Sequence, residues 1–382
     1  MIIGLDASRA LHSRPTGTEQ YARTLIHHLL ALPTAPDHHW RLYVDHLPRA
    51  GEPWADTPLP PWADWRILPP RRAWTHRALG PEVWRHRPDV LFVPSHLLPL
   101  LPKALLPPTV VTVHDLGYIY FPAAHPLRQR LYLTWGTRWS VAAATRVIAV
   151  SQATARDLLH HAGATPAQVQ VVYEAVDAPP QPALSAAAHA QSRRRLGLEG
   201  PYALYVGTIQ PRKNLVRLVE AFTRIAPTVG WDLVLAGGAG WLSDDILAAC
   251  AASAAADRIH RLGYVAADDL AALWAGAQSF LFPSLYEGFG LPILEAQRAG
   301  VPVMTAQGSS LPEVGGDAAL YVDPTDVEAI AQAMLQLSQD EALRQRLIEA
   351  GHANVRRFSW TKAAAETLAV LEEAAKSRRT SP

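Results

Sequence analysis

A strand-and-helix alternation that runs, stops and starts again constrains this chain's fold more than any other feature. Apolar, β-branched runs fall at 2–5, 40–44, 90–93, 110–113, 146–150 and 169–172. Between them lie helical patterns. Tyr21, Leu25, Ile26, Leu29 and Leu30 share one helical face, and further helices are expected at about 127–143 and 152–162. Runs that are apolar throughout fit strands buried on both faces, as in parallel sheets covered by crossover helices. Residues 48–70 are dense in proline and read as loop. Residues 178–192, with Pro179, Pro180, Pro182 and a run of alanines, read as a connection. The alternation then restarts. Strands are expected at 202–206, 233–236, 259–262, 279–282, 301–304 and 319–322. Helices are expected at 214–226, 243–255 and 268–276, with one opening at Pro292 and a helical tail from about 326. The expected class is α/β, with two doubly wound Rossmann-like domains facing each other across a cleft. Their expected bounds are 1–178 and 199–359, joined by 179–198. Ligands of such sheets bind beyond the carboxyl ends of the strands.

Composition narrows the function. At 382 residues the chain has room for two cores, and 49% of it is hydrophobic. A net charge of +1 gives no strong field toward nucleic acid, which is not expected as a partner. The charge is uneven, however. Residues 1–190 hold 17 Lys and Arg, 13 Asp and Glu and 14 of the 16 histidines. The single cysteine, Cys250, excludes an intramolecular disulfide and fits a reducing compartment. No apolar run is long enough to span a bilayer, and the first six residues read as a strand rather than a signal peptide. A cytoplasmic protein is expected.

Chemistry concentrates after two strands of the second array. Phe282-Pro283-Ser284-Leu285-Tyr286-Glu287-Gly288-Phe289-Gly290-Leu291-Pro292-Ile293-Leu294-Glu295 reads as strand, Gly-rich turn and helix. Pro292 suits a first helical turn. Backbone N–H groups and a helix N-terminus meet there, a natural place for an anion. Glu287 and Glu295 can border one cleft, or be solvated or cap the helix. Gly207-Thr208-Ile209-Gln210-Pro211-Arg212-Lys213-Asn214 also follows a strand and opens a helix. Two cations at a helix start oppose its dipole, and a bound dianion would reverse that sign. Arg212 can grip phosphate with two N–H groups, and Lys213 adds a point charge. The plain alternative is a pair of solvated surface cations. Asn214 reads as an N-cap.

Other positions carry weaker signals. Gly237-Gly238-Ala239-Gly240 and Gly263-Tyr264-Val265 either line a nucleotide through their backbone or are simple turns. His114 ends a parallel strand, where it either hydrogen-bonds a sugar hydroxyl, shuttles a proton or is satisfied locally. Gly17 allows close backbone approach to a phosphate or marks a left-handed turn. Ser151 reads as an N-cap, and Ser309 to Glu313 as a turn and short helix. Trp62, Trp65, Arg66, Arg71, Arg72, Trp74, Arg77, Trp84, Arg85 and Arg87 interleave indoles with cations. That stretch, 62–87, either touches lipid head groups, a sugar chain or nucleic acid, or is ordinary Arg–Trp packing. There is no Asp-x-Asp pair, clustered His/Cys set, Gly-x-Ser-x-Gly elbow or Walker-type loop, so no metal or cofactor is expected.

Taken together these motifs resemble the family 4 glycosyltransferases, which have the two-Rossmann GT-B fold. The resemblance is densest from Tyr202 to Asp323. In the first half it includes Gly17, Val113-His114-Asp115-Leu116, Val150-Ser151 and Glu174-Ala175-Val176-Asp177. It implies retaining transfer of a sugar from a nucleotide-diphosphate donor without an essential metal. GDP-mannose is the first expectation for the donor and UDP-glucose the second. The acceptor would be a hydroxyl of a glycan or lipid-linked acceptor, bound by the first domain. The implied catalytic residues are Glu287, Arg212, Lys213 and His114. The implied donor-binding residues are Gly17, Gly207, Tyr264, Gly288, Phe289, Gly290, Leu291 and Glu295. A last helix, 360–378, would return to the first domain. Two departures stand out. A common Gly-Ile-Gly-Arg-Tyr is here Gly17-Thr18-Glu19-Gln20-Tyr21, which argues against an anionic acceptor at that spot. Asn-Gly-Val-Asp is here Glu174-Ala175-Val176-Asp177. An inactive nucleotide-sugar-binding subunit and a GT-B phosphorylase or epimerase are the alternatives.

Overall fold

All strand pairings among the described residues are parallel. The computed structural model describes residues 1–12, 16–69, 72–95, 97–122, 127–176 and 185–377. Contacts divide the chain into two units, 1–174 together with 359–382, and 175–358.

In the first unit the described strands are β1 (Ile2–Asp6), β2 (His39–Val44), β3 (Ala63–Ile67), β4 (Val90–Val93), β5 (Thr109–Val113), β6 (Arg146–Ala149) and β7 (Val169–Val171). They line up in the order β3-β2-β1-β4-β5-β6-β7. The helices between them are α1 (Gly17–Leu30), α2 (Gly80–Arg85), α3 (Gly117–Tyr120), α4 (Leu127–Ala143) and α5 (Gln152–His161). Val90, Leu91, Phe92 and Val93 are all fully buried, as an apolar run covered on both faces demands. Ser151 caps α5, its Oγ accepting from the Thr154 N–H at 3.0 Å.

The second unit repeats the plan with α6 (Ala186–Arg195), β8 (Tyr202–Val206), α7 (Leu215–Ile225), β9 (Asp232–Ala236), α8 (Asp244–Ala252), β10 (Ile259–Gly263) and α9 (Ala267–Gly276). It continues through β11 (Ala277–Phe282), α10 (Leu291–Arg298), β12 (Val303–Ala306), α11 (Leu311–Gly315), β13 (Ala319–Val322), α12 (Val327–Gln339) and α13 (Glu341–Val355). Its strand order is β10-β9-β8-β11-β12-β13. The helical tail is cut into separate helices by caps. Asp326 Oδ1 accepts from the Glu328 and Ala329 N–H groups, and Asp340 Oδ1 from that of Leu343. The last helix, α14 (Trp360–Lys376), belongs to the first unit and packs on α1. Its Trp360 is buried, with its ring 5.8 Å from that of Tyr21. Residue 378 of the expected last helix lies outside the described residues.

Three details differ from the sequence reading. The proline-dense 48–70 contains β3, a half-buried edge strand paired to β2. An edge strand tolerates flanking prolines because one side of it needs no donors. The stretch 179–198 carries α6, which packs on α9. Residues 179–184 lie outside the described residues, as do Arg71, Asp177 and 13–15 of the turn before α1. Finally, β12 starts at Val303 rather than Val301, because Pro302 has no N–H to donate to a ladder.

Each sheet reverses its order once, between β1 and β4 and between β8 and β11. Loops leaving two such strands part to opposite faces and open a crevice at their carboxyl ends.

Candidate functional site

In the second unit, the loops beyond β8 and β11 bring Arg212, Lys213 and Glu287 together. The two cations sit on a 3-10 turn, Pro211–Lys213. Glu287 sits on the loop between β11 and α10. Lys213 Nζ lies 2.5 Å from Glu287 Oε1, and an Arg212 Nη1 lies 2.8 Å from Oε2. Arg212 also donates to the Tyr286 carbonyl, and Ser284 Oγ donates to Glu287 Oε1. Lys213 Nζ stands 5.0 Å from the centre of the Phe282 ring. Glu287 is 8% exposed and Lys213 9%. Burial alone would push the Glu287 carboxyl up. Arg212, Lys213 and the Ser284 hydroxyl outweigh it and hold the group at about 2. The cluster thus carries one carboxylate and two cations, a net positive charge in a largely dry crevice.

The backbone around it is pinned. The Leu285 N–H donates to the Arg212 carbonyl at 2.9 Å, tying the β11 loop to the 3-10 turn. Asn214 adopts a left-handed conformation, φ 63° and ψ 30°. Its side chain does not cap α7, contrary to the sequence reading. Instead Nδ2 donates to the Pro283 and Pro324 carbonyls, at 3.0 and 2.6 Å. The residue rivets three loops together; an N-cap side chain reaches the first turn from extended backbone, which Asn214 does not have. Ser309 and Ser310, read as a plain turn, also hold the site. Ser309 Oγ accepts from the Glu287 N–H at 3.0 Å, and the Ser310 hydroxyl reaches the Glu287 carbonyl at 2.9 Å. Nothing in their spacing signals this, since their partners lie more than twenty residues away.

The glycines divide by role. Gly237 has φ +152°, and a Cβ there would sit 1.9 Å from the Gly207 carbonyl oxygen. The Ile209 N–H donates to the Gly238 carbonyl at 3.0 Å, and that of Gly240 to Ile209 at 2.9 Å. The two Gly-bearing loops are therefore pressed against each other, a structural reason for glycine. Gly290, at φ +114°, turns the chain into α10, whose first turn carries Pro292 as expected. Gly288 and Phe289 are buried, and Leu291 opens α10 half-buried. Glu295 lies in α10; burial raises its carboxyl, against the pull of Arg298. Tyr264, just beyond β10, is 70% exposed.

His114 and Gly17 belong to the first unit. His114 follows β5 and is buried. Its Nδ1 lies 3.2 Å from Glu174 Oε1 and its Nε2 3.2 Å from the Pro94 carbonyl. A carbonyl only accepts, so Nε2 bears a hydrogen. Glu174, where the family pattern has Asn, thus supplies a carboxylate to His114. The Tyr21 ring meets the imidazole edge-on at 4.6 Å. Gly17 is the first residue of α1 and does not take a left-handed conformation; a Cβ there would meet nothing within 4 Å. Of the indole-and-cation stretch, Arg66 is tied to Glu82 at 2.8 Å and Arg87 to the Leu106 carbonyl at 2.6 Å, while Trp62, Trp65 and Trp74 are half-buried and Trp84 is exposed. Among the described residues no group of three or more His, Cys, Asp or Glu is placed to hold a metal ion. No described helix is long and apolar enough to cross a membrane.

Residues 190–354 match the family model for glycosyl transferases group 1, and residues 15–178 that for glycosyltransferase family 4. The O-antigen chain mannosyltransferase B of Escherichia coli is 33% identical over 308 residues, 80% of this chain and 78% of that one. A D-inositol 3-phosphate glycosyltransferase of Salinispora tropica is 34% identical over 264 residues, 64% of this chain but only 54% of its own length. Among solved structures, sucrose-phosphate synthase of Thermosynechococcus elongatus superposes with a TM-score of 0.74 at 20% identity, covering 98% of both chains. Anabaena HepE in complex with UDP and glucose gives 0.70 at 19% identity, covering 97% of this chain and 99% of that one. Both likenesses are of the GT-B fold.

Proposed function

The chain belongs to glycosyltransferase family 4, and on that premise we propose that it moves a hexose from a nucleotide-diphosphate sugar to a hydroxyl of a glycan or lipid-linked acceptor, retaining the anomeric configuration and using no metal. One observation carries the reading. Arg212 and Lys213 are held side by side, facing buried Glu287, where the sheet order reverses between β8 and β11. Cleaving the sugar–phosphate bond builds negative charge on the departing diphosphate and positive charge on the anomeric carbon. Arg212 and Lys213 stabilise the first, and the Glu287 carboxylate favours the second. The arriving diphosphate competes with Glu287 for the two cations, freeing the carboxylate to orient sugar hydroxyls. The acceptor hydroxyl attacks from the face the diphosphate leaves, and its proton passes to a phosphate oxygen. Gly207, Tyr264, Leu291 and Glu295 border the nucleotide in this reading, and His114 and Gly17 act from the first unit.

Mannose is the favoured sugar because relatives named for mannosyl transfer are among the similar chains, and glucose is next. A lipid-linked acceptor would bring the protein to the inner face of a membrane. Of the stretch 62–87, Trp84 is the indole most available for that contact. The test is incubation with GDP-mannose or UDP-glucose and an oligomannoside, in chelator, with the product read by NMR. The reading expects a new α-linked hexose from one donor only, at the same rate with and without chelator. A β-linked product, or transfer that needs added metal, would overturn it.

A further inference from the structure

The first unit has its own reversal of strand order, between β1 and β4. A cavity of about 540 Å³ opens at that point, within the size range of small-molecule sites. Its walls come from the residues that follow β1 (Ser8, Arg9, His12), β2 (Asp45) and β4 (Ser95, Leu97), together with α4 and the segment before α2. Nothing in the chemistry of the second unit uses it.

Its charges cancel. Glu19, on the first turn of α1, is buried, and its carboxylate faces the two basic residues of the wall. Oε1 lies 3.4 Å from His12 Nδ1 and 4.0 Å from an Arg9 Nη1. The Thr16 N–H donates to Oε2 at 2.7 Å, closing the helix start and fixing the carboxylate in place. Burial alone would push this carboxyl up, but Thr16, His12 and Arg9 hold it below its usual range, so it is ionised at neutral pH. Asp45 adds a second carboxylate at the cavity wall, 2.7 Å from His46 Nδ1. His76 contributes no charge: its Nδ1 accepts from the Leu100 N–H at 3.3 Å, and burial lowers the ring. A phosphate group needs cations not already facing carboxylates, and among its described residues this wall offers none.

What remains is amphipathic. Trp74 and Tyr132 give aromatic surface, and Tyr132 Oη sits 3.2 Å from His76 Nε2. Ser8, Thr18, Thr75 and Ser95 line the same cavity. Apolar faces beside fixed hydroxyls and carboxylates suit a sugar ring, whose C–H face packs on an aromatic and whose edge hydrogen-bonds.

We propose that this cavity binds the acceptor as an uncharged saccharide, and that Glu19 excludes phosphorylated acceptors by neutralising Arg9 and His12. The proposal rests on the transferase reading only in calling the ligand an acceptor; the saccharide site stands on the cavity itself. It separates this chain from relatives named for inositol 3-phosphate and groups it with those named for glycan chains.

The experiment is calorimetric titration of the full chain, held in a saturating nucleoside diphosphate, with an oligomannoside and with mannose 6-phosphate. Wild type, Glu19→Gln and Trp74→Ala are compared. Gln retains the helix-start hydrogen bond, so the first variant is expected to fold. Wild type binds the neutral sugar at least about tenfold tighter than the phosphate. Glu19→Gln closes or inverts that ratio by raising affinity for the phosphate about tenfold or more, and Trp74→Ala weakens the neutral sugar by a similar factor. Tighter binding of the phosphate by wild type, an unchanged ratio in Glu19→Gln, or no saturable binding of either sugar would overturn the proposal. Nucleoside diphosphate binding in the same samples reports on the donor reading separately. Its absence beside intact saccharide binding would sink the transferase reading and leave the cavity as a saccharide site.

Discussion

Replacing Glu287 by Gln keeps the shape of the side chain and removes its charge. The consequence for stability follows from the geometry. The carboxylate is 8% exposed and touches both Arg212 and Lys213. Its folded value of about 2, against an ordinary 4.5, represents roughly 3 kcal/mol of preference for the ionised form at 1.36 kcal/mol per unit. Losing one partner of a buried charge cluster costs a similar ~3–5 kcal/mol, because the remaining charges stay buried without it. Because the folded value is depressed, this stabilisation is fully present above pH 4.5 and is lost as pH falls through about 2. Urea unfolding of wild type and Glu287→Gln, followed by tryptophan fluorescence at pH 7 and at stepwise lower pH, reads the difference directly. The variant is expected to be about 3 kcal/mol less stable at pH 7, with the gap narrowing on acidification. A gap under about 0.5 kcal/mol at pH 7, or one that stays constant as pH falls, would refute the reasoning.

The remaining predictions concern the scaffold of the same crevice. Gly237→Ala places a Cβ 1.9 Å from the Gly207 carbonyl oxygen and is expected to cost more than about 3 kcal/mol. Gly238→Ala, where a Cβ meets nothing within 4 Å, should leave the melting temperature near wild type. Asn214→Ala strips the donor from the Pro283 and Pro324 carbonyls and leaves a Cβ-bearing residue without local support in a left-handed conformation. Its expected cost is roughly 3 kcal/mol by chemical denaturation, and Asn214→Gly should recover only the conformational part, about 1 kcal/mol.

Much of the fold was legible because its strands are covered on both faces. Each such strand is an unbroken apolar run, and Val90 to Val93 or Phe280 to Phe282 permit little else. β3 was not, because an edge strand needs only partial burial, and the prolines around it speak for loop. The crevice was legible wherever the signal was local. Arg212 and Lys213 share one turn, and Glu287 stands at a strand end five residues beyond Phe282. It was not legible that all three would share one ion cluster, nor that Asn214, Ser309 and Ser310 hold it. Those contacts join residues 22 to 110 positions apart, and no periodicity encodes them. The partnership of His114 with Glu174 is of the same kind, since sixty residues separate two side chains that lie 3.2 Å apart.

The central claim is that Arg212 and Lys213 hold the donor diphosphate. Thermal unfolding with a panel of nucleoside diphosphates, wild type beside the Arg212→Ala, Lys213→Ala double variant, tests it most directly. A ligand that binds only the folded chain stabilises it by about 2.7 kcal/mol at a hundredfold excess over its Kd. The account predicts a stabilisation of that order with GDP or UDP in wild type and its loss in a double variant that remains folded. Equal stabilisation of both proteins, or none in wild type with any nucleoside diphosphate, would contradict it.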